Sequence, residues 1–282
     1  MGAAGLVDIK RRIKSVQSTR KITNAMGLVA TSKLRKCRRE LVANEQYLTA
    51  AENTIRSLAS VESGFENPYF TKSKSNHKLY IVITSDAGLC AGYNNNIVSY
   101  LKELIVEDIH GTSIITIGSK GVPYVRRAGF ETVAEYVDIP DIPTARDIKV
   151  IIGKALSLYR QQVVSEIHVV YTRFISPVKQ EVKEELLLPI AQLEENSGEP
   201  FFEPDFETVL ADSLEMYLKG KLRSILLSSK CSEQSSRMTA MNGATSNAND
   251  IISDLNLTYN RIRQAIITQE ISEIVGGANA QN

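Results

Sequence analysis

Apolar side chains recur at alternating intervals of three and four residues through the last quarter of the chain. Residues 206–276 contain no proline, and the pattern runs through Met241, Thr245, Ala248, Ile252, Leu255, Tyr259, Ile262 and Ile266. This spacing predicts one long helix that buries its stripe against a single partner helix. The helix would contain about 70 residues, whereas a mean globular helix has ~11, and at 1.5 Å per residue it would be on the order of 100 Å long. We therefore expect its length to serve the function.

A second proline-free stretch, residues 6–60, carries a similar stripe. It begins at Ile9, Ile13 and Val16 and continues through Cys37, Leu41, Asn44, Leu48, Ala51, Ile55 and Leu58, while Ile22, Met26 and Val29 are expected to keep the face apolar in between. About 55 residues give roughly 80 Å, several turns less than the C-terminal helix. If the two helices are antiparallel neighbours, the first residues lie near residues 259–266, and residues 267–282 overhang.

The residues between the two helices alternate between strand and helix patterns. Apolar, β-branched runs predict strands at residues 79–84, 113–118, 132–137 and from residue 166, with an edge strand at 180–190; helices are predicted at 97–107, 120–129 and 145–160. Alternation of this kind indicates a parallel or mixed α/β sheet. The predicted fold is an antiparallel two-helix coiled coil, formed by the N- and C-terminal helices, with a central Rossmann-like α/β domain. Its parts are an N-terminal helix (1–60), a linker (61–76), the domain (77–200) and a C-terminal helix (201–282).

Composition excludes several classes of protein. The 33 basic and 32 acidic residues give a net charge of +1, which favours neither a nucleic-acid binder nor an acidic-surface protein. Cys37, Cys90 and Cys231 are odd in number and widely spaced, which predicts neither a disulfide framework nor a zinc site and favours a reducing compartment. No apolar run approaches the ~18 residues that cross a bilayer. We therefore expect any membrane association to go through a partner.

The first helix is locally basic. Between Asp8 and Glu40, the only two acidic residues of that stretch, stand eleven cations: Lys10, Arg11, Arg12, Lys14, Arg20, Lys21, Lys33, Arg35, Lys36, Arg38 and Arg39. The run could be a solvated helical face, a phosphate-binding surface or a surface that docks into an acidic protein. No aromatic residue interrupts it, which disfavours a base-stacking platform for single-stranded nucleic acid.

Candidate chemistry in the α/β domain is sparse. The GLCAG turn after the first strand lacks the third glycine of a dinucleotide fingerprint, and no GxxxxGK[ST] sequence occurs. The GSKG turn at Gly118 has a lysine but not the required spacing, so we expect its glycines to serve packing. His77, His110 and His168 have no metal-ligand partner three or four residues further along the chain. We predict no catalytic residue, cofactor or metal.

Both ends of the chain carry family-specific motifs. Residues 9–36, IKRRIKSVQSTRKITNAMGLVATSKLRK, and residues 267–280, ITQEISEIVGGANA, resemble the opening helix and the C-terminal signature of the gamma subunits of F-type ATP synthases. The SEQSSRMTAM run from Ser232 and the ITSD, GLC and IGSKG turns are similar to that family too. The resemblance covers the whole chain.

Three positions depart from the family pattern. Ala87 stands where an arginine is usual, Ser246 where an aspartate is common, and Gly27 where a good helix former is usual. We expect altered polar contacts at the first two positions and a loss of roughly 1 kcal/mol of local helix stability at Gly27. The dithiol insertion of chloroplast relatives is absent, and we do not expect redox switching.

The resemblance implies a non-catalytic rotor that transmits torque between an ion-driven membrane ring and three catalytic sites. It implies contacts with the alpha and beta subunits through Arg11, Arg12, Met26, Lys33, Arg35, Lys36, Arg38, Ile267, Thr268, Gln269, Glu270 and Glu273. The basic residues are expected to meet acidic loops of the beta subunits, and the overhang an apolar bearing. Phe202, Glu203 and Asp205 match the family's foot, which contacts the epsilon subunit and the membrane c-subunit ring. The implied location is the cytoplasmic side of a bacterial cell membrane, as a peripheral protein without membrane insertion.

The residues alone leave two rival functions open. A coiled-coil adaptor or nucleic-acid-binding protein would use the basic helix directly, and a dinucleotide-dependent enzyme would use the α/β domain. The first predicts steeply salt-dependent DNA binding, and the second predicts nucleotide-dependent thermal stabilisation. Neither explains two long paired helices with an overhang.

Overall fold

Two long helices are the first and the last secondary-structure elements of the chain. The structure, a computed structural model, describes residues 3–59, 69–70, 75–105, 111–190, 203 and 205–279. Helix α1 spans Ala3–Ala59 and helix α5 spans Phe206–Asn279, with 57 and 74 residues. The predicted helices at 6–60 and 206–276 are therefore confirmed over their described residues, whereas most of the predicted linker at 61–76 lies outside the described part.

The residues between α1 and α5 form a five-stranded mixed sheet with three helices. The elements are β1 (Lys78–Ile83), α2 (Tyr93–Ile105), β2 (Thr112–Ile117), α3 (Gly121–Arg127), β3 (Thr132–Tyr136), α4 (Ala145–Arg160), β4 (Glu166–Phe174) and β5 (Gln180–Leu188). The strand order is β3-β2-β1-β4-β5, with only the β4–β5 pair antiparallel. Each predicted strand is present, and β5 is an edge strand as expected.

Each face of the sheet is covered by its own apolar cluster, because the central strands are buried on both sides. Leu79, Ile81 and Ile83 of β1 pack in the cluster that contains residues of α1, α4 and α5. Tyr80 and Val82 point to the opposite cluster, with residues of α2 and α3. Helix α4 begins at a capping box, in which the Thr144 hydroxyl accepts from the backbone N–H of Asp147. The sheet is thus the middle layer of three.

The chain divides into two compact units. The terminal unit contains Met1–Ala30 and Met238–Asn282, and the central unit contains Thr31–Arg237. Both long helices contribute to each unit. In the terminal unit α1 and α5 contact each other in antiparallel order: Arg20 Nη1 donates to Asn249 Oδ1 at 3.2 Å and the Thr23 and Thr245 hydroxyls lie 2.7 Å apart.

The prediction that Ile22 and Val29 complete the apolar face of α1 is wrong. Both side chains are more than half exposed, at 60% and 55%, and the face towards α5 is formed by Thr23, Gly27 and Ala30 instead. The reason is geometric: steps of four, three, four and three from Val16 reach Arg20, Thr23, Gly27 and Ala30, so the spacing continues although the side chains become small or polar.

Gly27 has a packing role that the sequence did not indicate. A Cβ at this position would lie 3.0 Å from Asn242 Oδ1 and 3.6 Å from Met241 Cβ, so glycine permits the close approach of the two helices. The helix-propensity cost of a glycine is therefore set against closer contact between α1 and α5.

Candidate interaction surfaces

The basic residues of α1 divide between the two units. Arg11 and Arg12 are exposed in the terminal unit, where Arg11 pairs with Asp8 at 3.0 Å. Arg35, Lys36 and Arg38 are exposed in the central unit and leave their charges facing solvent in the isolated chain. The part of the predicted basic face from residue 35 onward is therefore accessible to a partner.

Two predicted contact residues of α1 are partly engaged within the chain. Lys33 forms an ion pair with Asp141, Nζ to Oδ2 at 2.8 Å, and about half of its side chain stays exposed, at 47%. Met26 is half-buried in the terminal unit. Lys33 thus has an intramolecular role that the sequence did not indicate, because Asp141 is distant in sequence and lies in the loop after β3.

The C-terminal end of α5 is an exposed helix with an apolar stripe. Every residue from 267 to 277 is exposed, among them Ile267, Ile271, Ile274 and Val275 at 46% to 72%. The predicted polar contacts bond within this helix: Thr268 donates to the Gln264 carbonyl, and Gln269 Nε2 donates to Glu273 Oε1 at 2.8 Å. Glu270 is exposed. Apolar residues four and three positions apart on an open helix indicate a surface that a partner covers.

Asp205, predicted as part of a foot, caps α5. Its two carboxylate oxygens accept from the backbone N–H and the hydroxyl of Thr208, each at 2.9 Å. These hydrogen bonds, the backbone one foremost, lower the pKa of Asp205 below its usual value. Glu203 is exposed, and Phe202 lies outside the described residues. A cap satisfies backbone donors at a helix start, so Asp205 has a structural role besides any contact.

The place where an α/β fold binds nucleotides is filled by the chain's own side chains. Ligands of such folds bind outside the carboxyl ends of the parallel strands. Here Asp86, directly after β1, accepts from the backbone N–H groups of Ser119 and Asp138 at 2.9 and 3.0 Å. A carboxylate of the chain itself thus takes up backbone donors at this edge, and Lys230 of α5 lies 3.8 Å from its other oxygen.

Glycines at this edge pack closely, as predicted for the GSKG turn. A Cβ on Gly118, which has a positive φ of 97°, would lie 2.4 Å from the Thr84 carbonyl oxygen, and one on Gly121 would lie 2.3 Å from Thr84 Oγ1. Gly88 of the GLCAG turn has no such neighbour within 4 Å. The backbone carbonyl oxygen of Ala87, in the same turn, accepts from Arg237 Nη2 at 2.9 Å.

The three cysteines are buried, and His168 lies among charged and aromatic side chains of the sheet. All three thiols are free and buried, and burial raises the pKa of Cys37 to about 11 and of Cys231 to about 12, with neighbouring Asp141 and Cys37 adding to the respective shifts. His168 lies between Glu166 and Glu184 and stacks on Tyr80 at 4.9 Å. His110 lies outside the described residues. Across residues 3–59, 75–105, 111–190 and 205–279, no three potential ligands are grouped so as to hold a metal ion.

None of the described helices combines the length and apolar character that a bilayer crossing requires. This holds for α1 and α5 in spite of their length, because charged residues recur along both.

Sequence reasoning missed the polar contacts that join α1 to α5 in the central unit. Asn44 is buried; its amide donates to the Gly220 carbonyl and its oxygen accepts from Arg223, each at 3.0 Å. Arg223 also pairs with Glu40 at 3.2 Å. An asparagine within an apolar stripe was the available signal, because a buried amide at such a position commonly fixes the alignment of two helices.

The comparisons with known proteins agree over the whole chain. A family model described as ATP synthase matches residues 5–281. The ATP synthase gamma chain of Clostridium botulinum is 59% identical over 282 residues, and that of Clostridium beijerinckii 56% over 284 residues, with 100% of both chains covered in each case.

Solved structures show the same fold. A chain of the Euglena gracilis mitochondrial ATP synthase, in an OSCP/F1/c-ring assembly, has a TM-score of 0.73 at 17% identity and covers 99% of this chain and 95% of its own. A chain of the Tetrahymena thermophila central stalk and c-ring has a TM-score of 0.61 at 24% identity and covers 79% and 99%. At these identities the likeness concerns the fold alone.

Fold and relatives together define a class of protein, the ATP synthase subunits that join two long terminal helices to a mixed α/β sheet. Within that class, the chain belongs to the ATP synthase gamma chain family.

Proposed function

We propose that this protein is the central-stalk rotor of an F-type ATP synthase, which transmits torque between a membrane ring driven by ions and the three catalytic sites of an alpha/beta hexamer. The observation that carries the proposal is the full-length identity of 59% to a gamma chain. Whole-chain agreement gives no support to the adaptor, nucleic-acid or dinucleotide-enzyme alternatives. The proposed partners are the alpha, beta and epsilon subunits and the c-subunit ring, at the cytoplasmic face of a bacterial membrane.

In this proposal α1 and α5 form an antiparallel two-helix coiled coil. Support comes from the antiparallel contacts of Thr23 with Thr245 and of Arg20 with Asn249, and from the less exposed positions of α5 at Met241, Thr245 and Ala248. Two helices resist twisting and fraying better than one. One elementary charge that crosses a membrane potential of 100 mV delivers about 2.3 kcal/mol. Because several ions cross for each ATP, the helix pair must transmit a multiple of that energy.

The protein itself is proposed to be non-catalytic, so its effect on the catalytic sites is conformational. A pair of helices lacks threefold symmetry, and at any angle it presents a different surface to each of three otherwise identical sites. Because each surface interacts differently with the states of a site, each site is biased towards a different conformation. Rotation then takes every site through binding, synthesis and release in turn.

Two surfaces are proposed to contact the hexamer. The exposed cations Arg35, Lys36 and Arg38, with Arg11 and Arg12, would meet acidic loops of the beta subunits, and the open stripe from Ile267 would turn in an apolar bearing. Glu203 and Asp205 would belong to the foot that contacts the epsilon subunit and the ring. The division into a coiled coil and a domain at 77–200 stays a prediction.

Reversal of two charges tests the beta-subunit contact. We expect Arg35→Glu with Lys36→Glu to preserve assembly but to reduce ATP-driven ion pumping per ATP hydrolysed, because rim charges guide and align an interface. Lys102→Glu on α2 is a matched control, since Lys102 is also an exposed helical cation and belongs to neither proposed surface. Unchanged coupling in the double variant would remove this contact from the proposal, and failure of the wild-type chain to assemble with alpha and beta subunits would remove the proposed function.

A further inference from the structure

Two carboxylates of the central unit bind several elements at once at the carboxyl edge of the sheet. Asp86 follows β1 and accepts from Ser119, which follows β2, and from Asp138, which follows β3. Asp141 also follows β3 and accepts from Gln234 Nε2 of α5 at 3.0 Å. The ends of three parallel strands are therefore joined at Asp86, while Asp141 faces the long helices.

Helix α5 presents charged and amide side chains to these two carboxylates, and those side chains are almost wholly buried. Lys230, Glu233, Gln234 and Arg237 are exposed by only 4%, 3%, 2% and 7%. Their spacing of three, one and three residues places them on one side of the helix. Lys230 pairs with Asp86 at 3.8 Å and with Glu233 at 3.4 Å, and Arg237 pairs with Glu233 at 2.9 Å. No described charge in this group lacks an opposite one.

Arg237 extends these contacts to the turn after β1. Its guanidinium donates to the carbonyl oxygens of Ala87 at 2.9 Å and Gly88 at 3.2 Å. Helix α1 is joined at the same edge, because Lys33 pairs with Asp141 at 2.8 Å and the Cys37 thiol donates to the Asp141 carbonyl. Helix α5 is thus bonded to the segments after β1 and β3, and α1 to the segment after β3; we call this set of strand ends the socket of α5.

Stability alone would not require buried ion pairs and hydrogen bonds between α5 and the strand ends. Replacement of a buried ion pair by well-packed apolar residues is often neutral or stabilising, whereas loss of one partner leaves a costly unpaired charge. Apolar contacts also permit side chains to slide past each other, because the hydrophobic effect is non-directional. Hydrogen bonds and buried ion pairs are directional, so rotation of α5 in the socket would break several at once. The buried polar contacts of the socket are therefore better explained by resistance to rotation of α5 than by a gain in folding stability.

We propose that Asp86 and Asp141 are positioning residues that fix α5 and α1 against rotation relative to the sheet, and so carry torque between the α/β domain and the helix pair. This inference rests on the proposed function and adds to it the place where torque crosses from one part of the central unit to another. Neither residue contacts the hexamer in this proposal.

The test uses Asp86→Asn, Asp141→Asn and their combination, which keep side-chain shape and remove the charge. Glu135→Gln is the matched control, because Glu135 is a carboxylate of β3 that pairs with Arg126 at 2.9 Å and has no contact with either long helix among those described. Amide hydrogen exchange of residues 228–237 is measured in the isolated full-length chain, and ATP-driven ion pumping per ATP hydrolysed is measured in the reconstituted complex.

We expect exchange of residues 228–237 to be at least ~tenfold faster in the double variant and a few-fold faster in each single variant, because local opening no longer breaks ion pairs. Pumping per ATP should fall at least ~twofold while ATP hydrolysis persists, since α5 can then turn relative to the sheet in some cycles without turning the sheet with it. Should the double variant fail to fold, the single variants decide.

Wild-type exchange and coupling in the folded variants, or an equal change in Glu135→Gln, would overturn the inference. Faster exchange with unchanged coupling would overturn it too, because the residues would then be structural only. If the wild-type chain did not assemble with alpha and beta subunits, the proposed function would fail, and with it the torque assignment, whatever the exchange rates.

Discussion

Helix α5 is built differently in the two units that it enters. In the central unit every residue from 225 to 235 is buried, including Lys230 and Glu233. In the terminal unit only one position in three or four is even half-buried, and from 267 to 277 all are exposed. One unbroken helix thus serves as a core element in one unit and as a surface in the other.

The difference in burial shows which interactions stabilise α5 in each unit. A helix buried all round is held by tertiary contacts, whereas an open helix depends on its backbone hydrogen bonds and on one contact stripe. Apolar residues such as Leu257, Ile271 and Ile274 keep more than half of their surface in contact with solvent in the isolated chain. Their presence is understandable if the terminal unit completes its packing inside a partner.

The largest expected difference comes from one substitution made in each unit. Leu222 is fully buried in the central unit and Leu257 is 67% exposed in the terminal unit. We expect Leu222→Ala to lower the free energy of unfolding by about 2 to 5 kcal/mol, because it leaves a cavity. Leu257→Ala should change it by less than about 0.5 kcal/mol. Urea unfolding followed by circular dichroism measures both, and similar losses would contradict the difference in packing.

Acid should weaken the central unit through Glu185. Burial by itself raises the pKa of this carboxyl, but hydrogen bonds and charge from Lys221 of α5 and from Lys183 outweigh burial and lower the pKa to about 2. Lys221 Nζ lies 2.6 Å from Glu185 Oε1. A lowered folded-state pKa stabilises the fold above the unfolded value, and this stability is lost as pH falls from about 4.5 towards 2.

Allowing for solvent screening, we expect Glu185 to account for roughly 2 kcal/mol of that acid-induced loss. Unfolding free energies at pH 6 and pH 3 measure it. Glu185→Gln should be less stable than wild type at pH 6 and should lose less between the two pH values. An equal pH dependence in both proteins would show that the Lys221 pair does not hold α5.

Two glycines of α5 offer a further matched pair. A Cβ on Gly220 in the central unit would lie 2.7 Å from Tyr47 Cε1, whereas a Cβ on Gly243 in the terminal unit would have nothing within 4 Å. We expect Gly220→Ala to destabilise by about 1 kcal/mol, because the Tyr47 ring must move. Gly243→Ala should stabilise by up to about 1 kcal/mol through helix propensity. Thermal unfolding decides, and shifts of the same sign would count against the two packing environments.

The smallest effect is expected for an exposed ion pair of the terminal unit. Arg11 and Asp8 pair at 3.0 Å with side chains that are 82% and 68% exposed. We expect Arg11→Ala to change the free energy of unfolding by less than about 0.5 kcal/mol, because solvent and side-chain entropy offset such pairs. A larger loss in urea unfolding would mean that the terminal unit is held by charge rather than by its helix contacts.

The local sequence pattern was sufficient to predict the helices and strands but not the contacts between them. The helix-period spacing of α5 and the β-branched run of β1 are local signals, and both were predicted correctly. The Arg237 contact with Ala87 joins residues 150 positions apart and has no local signal. It depends on the order of strands in the sheet, which the sequence left open.

The error at Ile22 and Val29 has a simple physical cause. A helix face is set by spacing and tolerates small or polar residues such as Gly27 and Thr23, whereas apolar residues off that spacing stay exposed. The predicted contact residues were placed by the local charge bias of the first helix and by resemblance. Local rules could not indicate that Lys33 pairs with Asp141, or that Asp205 caps α5, because the partners become visible only in the folded chain.

Hydrogen exchange of α5, compared between the isolated full-length chain and the assembled complex with alpha and beta subunits, tests the central claim most directly. We predict that residues 222–237 exchange slowly in both, and that residues 251–277 exchange fast in the isolated chain and at least ~tenfold more slowly in the complex. Slow exchange of residues 251–277 in the isolated chain, or no slowing on assembly, would contradict the account of a helix that is anchored in one unit and completed by a partner in the other.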